Sequence, residues 1–364
     1  MATFDPLLPP PLTTADLPGI GGRIKDRPED FEVEEIPAYE PSGTGNFLYL
    51  WVEKRGMGAD YFSRQVARRL EIAPGEVGTA GLKDRHAVTR QWVSVPAAAA
   101  DRLDRLDGDG IRVLNVSRHG NKLKAGHLRG NRFRILVRDV AAEARGDDRL
   151  ARILDRLRRE GVPNFYGPQR FGRDFETLKP GLALLRGEPA PPSGSGRRQN
   201  LRSPFLRKLV LSAAQSALFN CYLARRLADG LLRRVLDGDV MAKWPFGGLF
   251  VATDVPREQA RLDARETVSA GPIFGRKTFP ADGEALRRET AVLADAGLSA
   301  ASFAGFGKLV QGTRRHNLIY VDDITAAAEP EGVRLTFTLP AGSYATVLLR
   351  EVMKTEAANA DEEA

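Results

Sequence analysis

Gly81-Leu82-Lys83-Asp84-Arg85-His86-Ala87-Val88-Thr89-Arg90-Gln91 is the stretch from which the rest of the chain is best read. A short apolar run over residues 77–80 leads into a glycine and then a charged turn. The chain leaves on a second strand, Gln91 to Val95, which Pro96 ends because proline has no amide hydrogen to give a ladder. Such a turn projects its apical residue from the end of a rigid sheet. Here that residue is Asp84, between Lys83 and Arg85. Nearby cations favour the charged form of a carboxylate, and a well-held carboxylate acts as nucleophile or base. Taken alone, a charged turn with Asp at its apex is most often structural, so the motif has to be weighed with the rest of the chain.

Working outward, residues 31–34 (Phe-Glu-Val-Glu) alternate as a half-buried strand does. Residues 47–52 are aromatic and β-branched and follow the turn signal at 41–45, which predicts a second strand. Phe62, Val66 and Leu70 recur every fourth residue and predict an amphipathic helix. Phe133, Ile135 and Val137 alternate with Arg132, Arg134 and Arg138, which puts an apolar edge on a core and arginines on the other face. From Leu150 onward the texture is helical, with a long Ala-rich helix expected over 209–227 and an exposed Pro/Gly/Ser-rich loop over 189–196. Strand alternation returns at Leu335, Phe337 and Leu339, and a closing helix is expected over 347–353. Strands, then helices, then strands imply a sheet domain interrupted by a helical insertion.

The 364 residues suffice for two domains, and 42% hydrophobic with 28% charged residues is ordinary for a globular chain with a real core. One cysteine, Cys221, excludes an internal disulfide, and four histidines with one cysteine spell no zinc site. No run of 18 apolar residues predicts a membrane span. The Pro-rich start lacks the basic and apolar regions of a signal peptide, and the acidic end after Thr355 reads as solvated. A reduced, cytoplasmic location is therefore expected. Net charge is +7, and its distribution matters more: residues 118–138 hold seven Lys or Arg and no acid, and residues 161–210 hold nine bases against three acids. Either these are solvated faces, or they track a phosphate backbone and gain affinity by counterion release.

The string 81–91 resembles the catalytic signature of the TruD family of pseudouridine synthases. Four further blocks resemble that family in its own order: residues 25–35 (KDRPEDFEVEE), 126–133 (GHLRGNRF), 161–172 (GVPNFYGPQRFG) and 337–346 (FTLPAGSYAT). The resemblance implies an α+β fold: a mixed catalytic sheet domain of the pseudouridine synthase type, residues 1–160 plus 315–364, with a largely helical TruD-specific domain, 161–314, inserted, the two forming a cleft for RNA. It implies isomerisation of a tRNA uridine, uridine 13 of the D-arm in the family, to pseudouridine. No cofactor and no metal are expected, because the base is detached, turned and rejoined with no net redox change. Asp84 would attack C1′ or C6, or abstract a proton, on a uridine flipped out of its stack.

By position in the matching blocks, Phe337 and Phe31 are candidates to stack on the base, although each also reads as a core aromatic of a strand. Asn131 offers an amide to a uracil edge or a ribose hydroxyl, and otherwise reads as a turn residue after Gly130. Lys25 is a candidate ion partner for Asp84 or an RNA phosphate, with Arg350 the alternative. His86 reads better as an exposed turn residue or phosphate contact than as a base. Glu34 and Glu35 are not an acid/base pair, because adjacent strand residues face opposite ways. A competing reading is a non-catalytic basic RNA-binding protein, which has no need of an aspartate at the apex of a cationic turn. An RNA methyltransferase would need a glycine-rich strand–loop–helix, and Gly19-Ile20-Gly21-Gly22 is not followed by a helical pattern. No membrane partner is expected.

Overall fold

The structure, a computed structural model, describes residues 5–142, 147–189, 191, 201 and 203–355. Apart from Pro189 and Pro191, the loop expected at 189–196 lies outside the described residues, as does the acidic end beyond Thr355. The chain forms two compact units: residues 16–158 with 321–364, and residues 1–15 with 159–320.

The first of these units is built on an eight-stranded mixed sheet. Its strands are β1 (Phe31–Pro37), β2 (Phe47–Arg55), β3 (Gly78–Thr79), β4 (Val88–Pro96), β5 (Ile111–His119), β6 (Leu128–Arg138), β7 (Thr325–Glu329) and β8 (Gly332–Pro340). They lie in the order β7-β8-β6-β1-β4-β2-β5, and β3 pairs with the far half of β4. Only β1 and β4 run parallel; the other pairs are antiparallel. The last strands of the chain therefore complete a sheet begun by the first, as the late return of alternation implied.

Register gives the sheet two different faces. Lys54 of β2 opposes Thr89 of β4, Thr89 opposes Val33 of β1, Val33 opposes Phe133 of β6, and Phe133 opposes Phe337 of β8. One residue along, the opposite face carries Glu53, Arg90, Glu34, Arg132 and Thr338 in the same cross-strand row. The helix Ala59–Leu70 covers one end of the first face, and its Phe62, Val66 and Leu70 are buried with Leu48, Leu50, Val52, Val93 and Val95. Fully burying a side chain of this size is worth about 1.5–3 kcal/mol, so this packing fixes which way Lys54 points. Gly130 is required on β6, since a side chain there would run into the Leu339 carbonyl of β8.

The second unit is centred on the helix Pro204–Ala228, which starts with proline in its first turn, where the missing amide costs nothing. Its apolar face packs with the helices Leu178–Arg186 and Gly283–Asp295 around Leu182, Leu211, Leu218, Val292 and Phe303. Arg226, near its end, is buried against Asp239, with two nitrogens 2.8 and 2.6 Å from the two carboxylate oxygens. Asp239 leads into a four-stranded antiparallel sheet, ordered Thr313–His316, Thr267–Ile273, Val240–Lys243, Leu249–Val251. Among the described residues no helix is long and apolar enough to cross a membrane, and no group of His, Cys, Asp and Glu is arranged to hold a metal ion.

Candidate active site

Asp84 lies in the irregular segment 80–87 that joins β3 to β4. β3 borders β4 only at Val93 and Ser94, while β1 borders it only at Val88–Arg90. The joining segment connects the end of β3 to the start of β4. It is not a free loop, because lysines hold it at three points.

Lys83 points inward, with its ammonium 2.9 Å from Oε2 of Glu35, and donates to Oδ1 of Asn131 at 2.8 Å. The Lys83 and Glu35 side chains are 3% and 1% exposed. Glu35 also accepts weakly from the Trp92 amide at 3.4 Å. Lys54, buried at the end of β2, donates to the Met57 carbonyl at 2.5 Å and to the carbonyl of Asp84 itself at 3.0 Å. Burial pushes its ammonium down to about 8, against the pull of the Asp84 charge and with a further push from Lys83. Lys25 completes the set: its Nζ lies 3.3 Å from Oδ1 of Asp84. The Lys25 side chain is 4% exposed and that of Asp84 31%, so a buried cation backs a carboxylate that still reaches solvent.

Lys25 adopts φ 64°, in the left-handed region. A side-chain-bearing residue pays about 1–2 kcal/mol for that conformation, and such strain persists only where the surroundings over-determine it. Here the ammonium is fixed twice, by Asp84 and by the Phe31 ring, whose centroid is 4.7 Å away. Phe31 meets Phe133 edge-on at 6.1 Å, and Phe133 stacks on Phe337 at 5.4 Å with 25° between planes. All three rings are buried. Phe31, Phe133 and Phe337 thus form a file of aromatics that starts at the cation paired with Asp84.

The structure therefore gathers Lys25, Phe31, Asp84, Asn131 and Phe337 from four separate blocks of sequence into one region of one unit. Arg350 is half-buried on the helix Ala345–Met353, and the carboxylate of Asp84 is paired with Lys25. His86 is half-buried in the joining segment. Glu34 and Glu35 diverge: Glu34 lies 3.9 Å from Arg90 on the opposite face, Glu35 beside Lys83. Sequence reasoning missed Glu35 as the partner of Lys83, Phe133 as the middle ring, and Lys54 altogether. Only Phe133 carried a signal, since it lies two residues beyond Asn131 on an alternating strand.

Part of the positive charge is engaged inside the protein. Arg138 makes a two-pronged pair with buried Asp30 at 2.7 and 2.8 Å. Arg170 donates to Ser212 and Ser216, and Arg186 to the Ala296 carbonyl. Arg129, Arg132 and Arg134 are exposed. Arg132 and Arg134 point with Glu32 and Glu34 to the face opposite Asn131, whereas Arg129 is the extra residue of a bulge between the Ile36–Gly130 and Pro37–Leu128 pairs.

Comparison with known proteins agrees across nearly the whole chain. The family model described as tRNA pseudouridine synthase D (TruD) matches residues 11–191 and 199–352. The tRNA pseudouridine synthase D of Anaeromyxobacter sp. is 46% identical over 355 residues, covering 97% of this chain and 99% of that one. The Thermus thermophilus protein of the same name is 43% identical over 351 residues, 95% and 93% of the two chains. A crystal structure from Methanosarcina mazei bearing the same family name superposes with a TM-score of 0.75 at 26% identity, covering 95% of this chain and 97% of that one. With four motif blocks brought together around one sheet and a family model spanning both units, the chain belongs to the TruD family of tRNA pseudouridine synthases, isomerases that act on RNA.

Proposed function

We propose that this protein converts a uridine of tRNA to pseudouridine, with Asp84 as the catalytic carboxylate and uridine 13 of the D-arm as the target that its family resemblance suggests. The observation that carries this reading is the placement of Asp84. It is partly open to solvent, backed by the buried Lys25 ammonium at 3.3 Å, and its own peptide is held by Lys54. Attack on C1′, attack on C6 and proton abstraction all need a carboxylate held in one orientation, and the two lysines supply that. The reaction rejoins the same base to the same ribose, so no group donor or redox cofactor is assigned.

In this reading the target base leaves its stack to reach Asp84. Asn131, oriented by Lys83, offers its amide nitrogen to the uracil edge or ribose. Phe31, Phe133 and Phe337, all buried, form the apolar backing behind Lys25 and Asp84. The catalytic domain is the unit holding the eight-stranded sheet, and the second unit is the family's insertion. The protein acts where its tRNA is, in the cytoplasm.

The test is Asp84→Asn, which keeps the shape and removes the reactive oxygen. Tritium release from 5-tritiated uridine in tRNA is expected to stop while tRNA binding stays near normal, the pattern of a group used in the reaction and not in affinity. Near-normal turnover in this variant would remove Asp84 from the site.

A further inference from the structure

Among the described residues Leu82 is the most solvent-exposed large apolar side chain, at 84%. A single exposed leucine is ordinary on a protein surface. This one is unusual in its setting. Its chain neighbour Lys83 is buried and tied to Glu35 and Asn131, and Asp84 is held through its carbonyl by Lys54 and through its carboxylate by Lys25. Three buried lysines, Lys25, Lys54 and Lys83, thus hold the joining segment, which turns its one leucine outward. The exposed side chain is displayed by an anchored segment.

We propose that Leu82 is a wedge that enters the RNA stack beside the target uridine and supports its flipped-out state. The proposal rests on the reading of Asp84 as the carboxylate that meets an extruded base. Two residues of chain span at most about 7 Å, and successive nucleotides of one strand rise by about 3.4 Å. A side chain attached two residues from Asp84 is therefore within about two stacking steps of the reacting base. Apolar side chains, leucine among them, are the groups that proteins insert between bases to unstack them. A side chain that replaces the lost stacking contact lowers the cost of extrusion without touching the reacting atoms. Leu82 is accordingly a positioning residue, and Asp84 remains the catalytic one.

The experiment compares wild type, Leu82→Ala, Leu82→Met and Asp84→Asn in single-turnover tritium release at saturating tRNA. Two substrates are used: intact tRNA, and the same tRNA with an abasic ribose next to the target uridine, which leaves no stack to break on that side. Because Leu82 is exposed, unfolding temperatures of its variants should match wild type. On intact tRNA the Ala variant is expected to be about tenfold slower, the scale of one lost stacking contact, while Met, still long and apolar, restores most of the rate. On the abasic substrate the difference between wild type and Ala should vanish. Equal rates for wild type and Ala on intact tRNA would overturn the proposal, and so would an equal deficit on both substrates. Either result is compatible with an inactive Asp84→Asn protein, whereas turnover by Asp84→Asn would overturn the reading of Asp84 itself.

Discussion

Replacing Lys83 by methionine probes what holds the joining segment in place. Lys83 and Glu35 are both almost wholly buried, 2.9 Å apart, and Lys83 also donates to Asn131. Removing one partner of a buried pair costs about 3–5 kcal/mol, because the other charge is left without compensation. The penalty has a ceiling, since an unpaired buried carboxylate escapes by binding a proton. At pH 7, starting from the ordinary glutamate value of about 4.3, that escape costs about 3.7 kcal/mol. The expected loss at pH 7 is therefore about 3–4 kcal/mol. In the variant the folded state then holds a proton that the unfolded state lacks, so folding is favoured as pH falls. The deficit relative to wild type should shrink by about 1.4 kcal/mol per unit between pH 7 and pH 5.5. Urea unfolding of both proteins at the two pH values measures it. The double variant Lys83→Met/Glu35→Leu, which buries neither charge, should be more stable than Lys83→Met alone. A loss below about 1 kcal/mol, or a deficit independent of pH, would refute the idea that this pair is the pillar under Asp84.

Two further outcomes follow from the faces of the sheet. Phe337→Ala should cost about 3–5 kcal/mol of stability, because the ring is buried and stacked on Phe133; an unchanged unfolding temperature would show that the ring is not part of the core, and single-turnover rates of the folded fraction beside Phe337→Tyr separate that loss from any role against the base. Arg129→Glu should weaken tRNA binding and flatten the slope of log affinity against log salt by about 0.7–0.9 for a lost phosphate contact, whereas Arg132→Glu with Arg134→Glu, pointing to the face opposite Asp84, should change the slope little; the reverse ranking would place RNA on the other face.

What was legible in the sequence was what local periodicity encodes. The four-residue recurrence of Phe62, Val66 and Leu70 gave the helix Ala59–Leu70, and the alternation around Phe133 gave β6 and the division of its two faces. The long helix was read at 209–227 and spans Pro204–Ala228, because its first turn is set by Pro204 and not by apolar spacing. β5 went unread: it is an edge strand whose apolar Leu114 and Val116 are exposed, so alternation and burial do not coincide there. The strands of the second unit's four-stranded sheet carry three to seven residues each and were hidden by the surrounding helical texture.

The site was legible only as far as its motif blocks went, and the reason is physical. Lys54 follows Glu53, and a Glu-Lys pair at the end of a strand looks like a solvated terminus. Register decides otherwise. Glu53 falls in the row with Arg90, Glu34 and Arg132, where opposite charges face one another across strands; Lys54 falls in the row with Thr89, Val33, Phe133 and Phe337, where no carboxylate stands opposite. Cross-strand pairs of opposite charge stabilise a solvated face, but a lone ammonium on the apolar face must find acceptors or lose its proton. Lys54 finds two main-chain carbonyls, and one belongs to Asp84. The same one-residue alternation that makes Glu53 an ordinary surface acid therefore makes Lys54 a clamp on the joining segment. Which residue took which part depended on pairings among strands as far apart in sequence as β2 and β8, and no window of local sequence contains them.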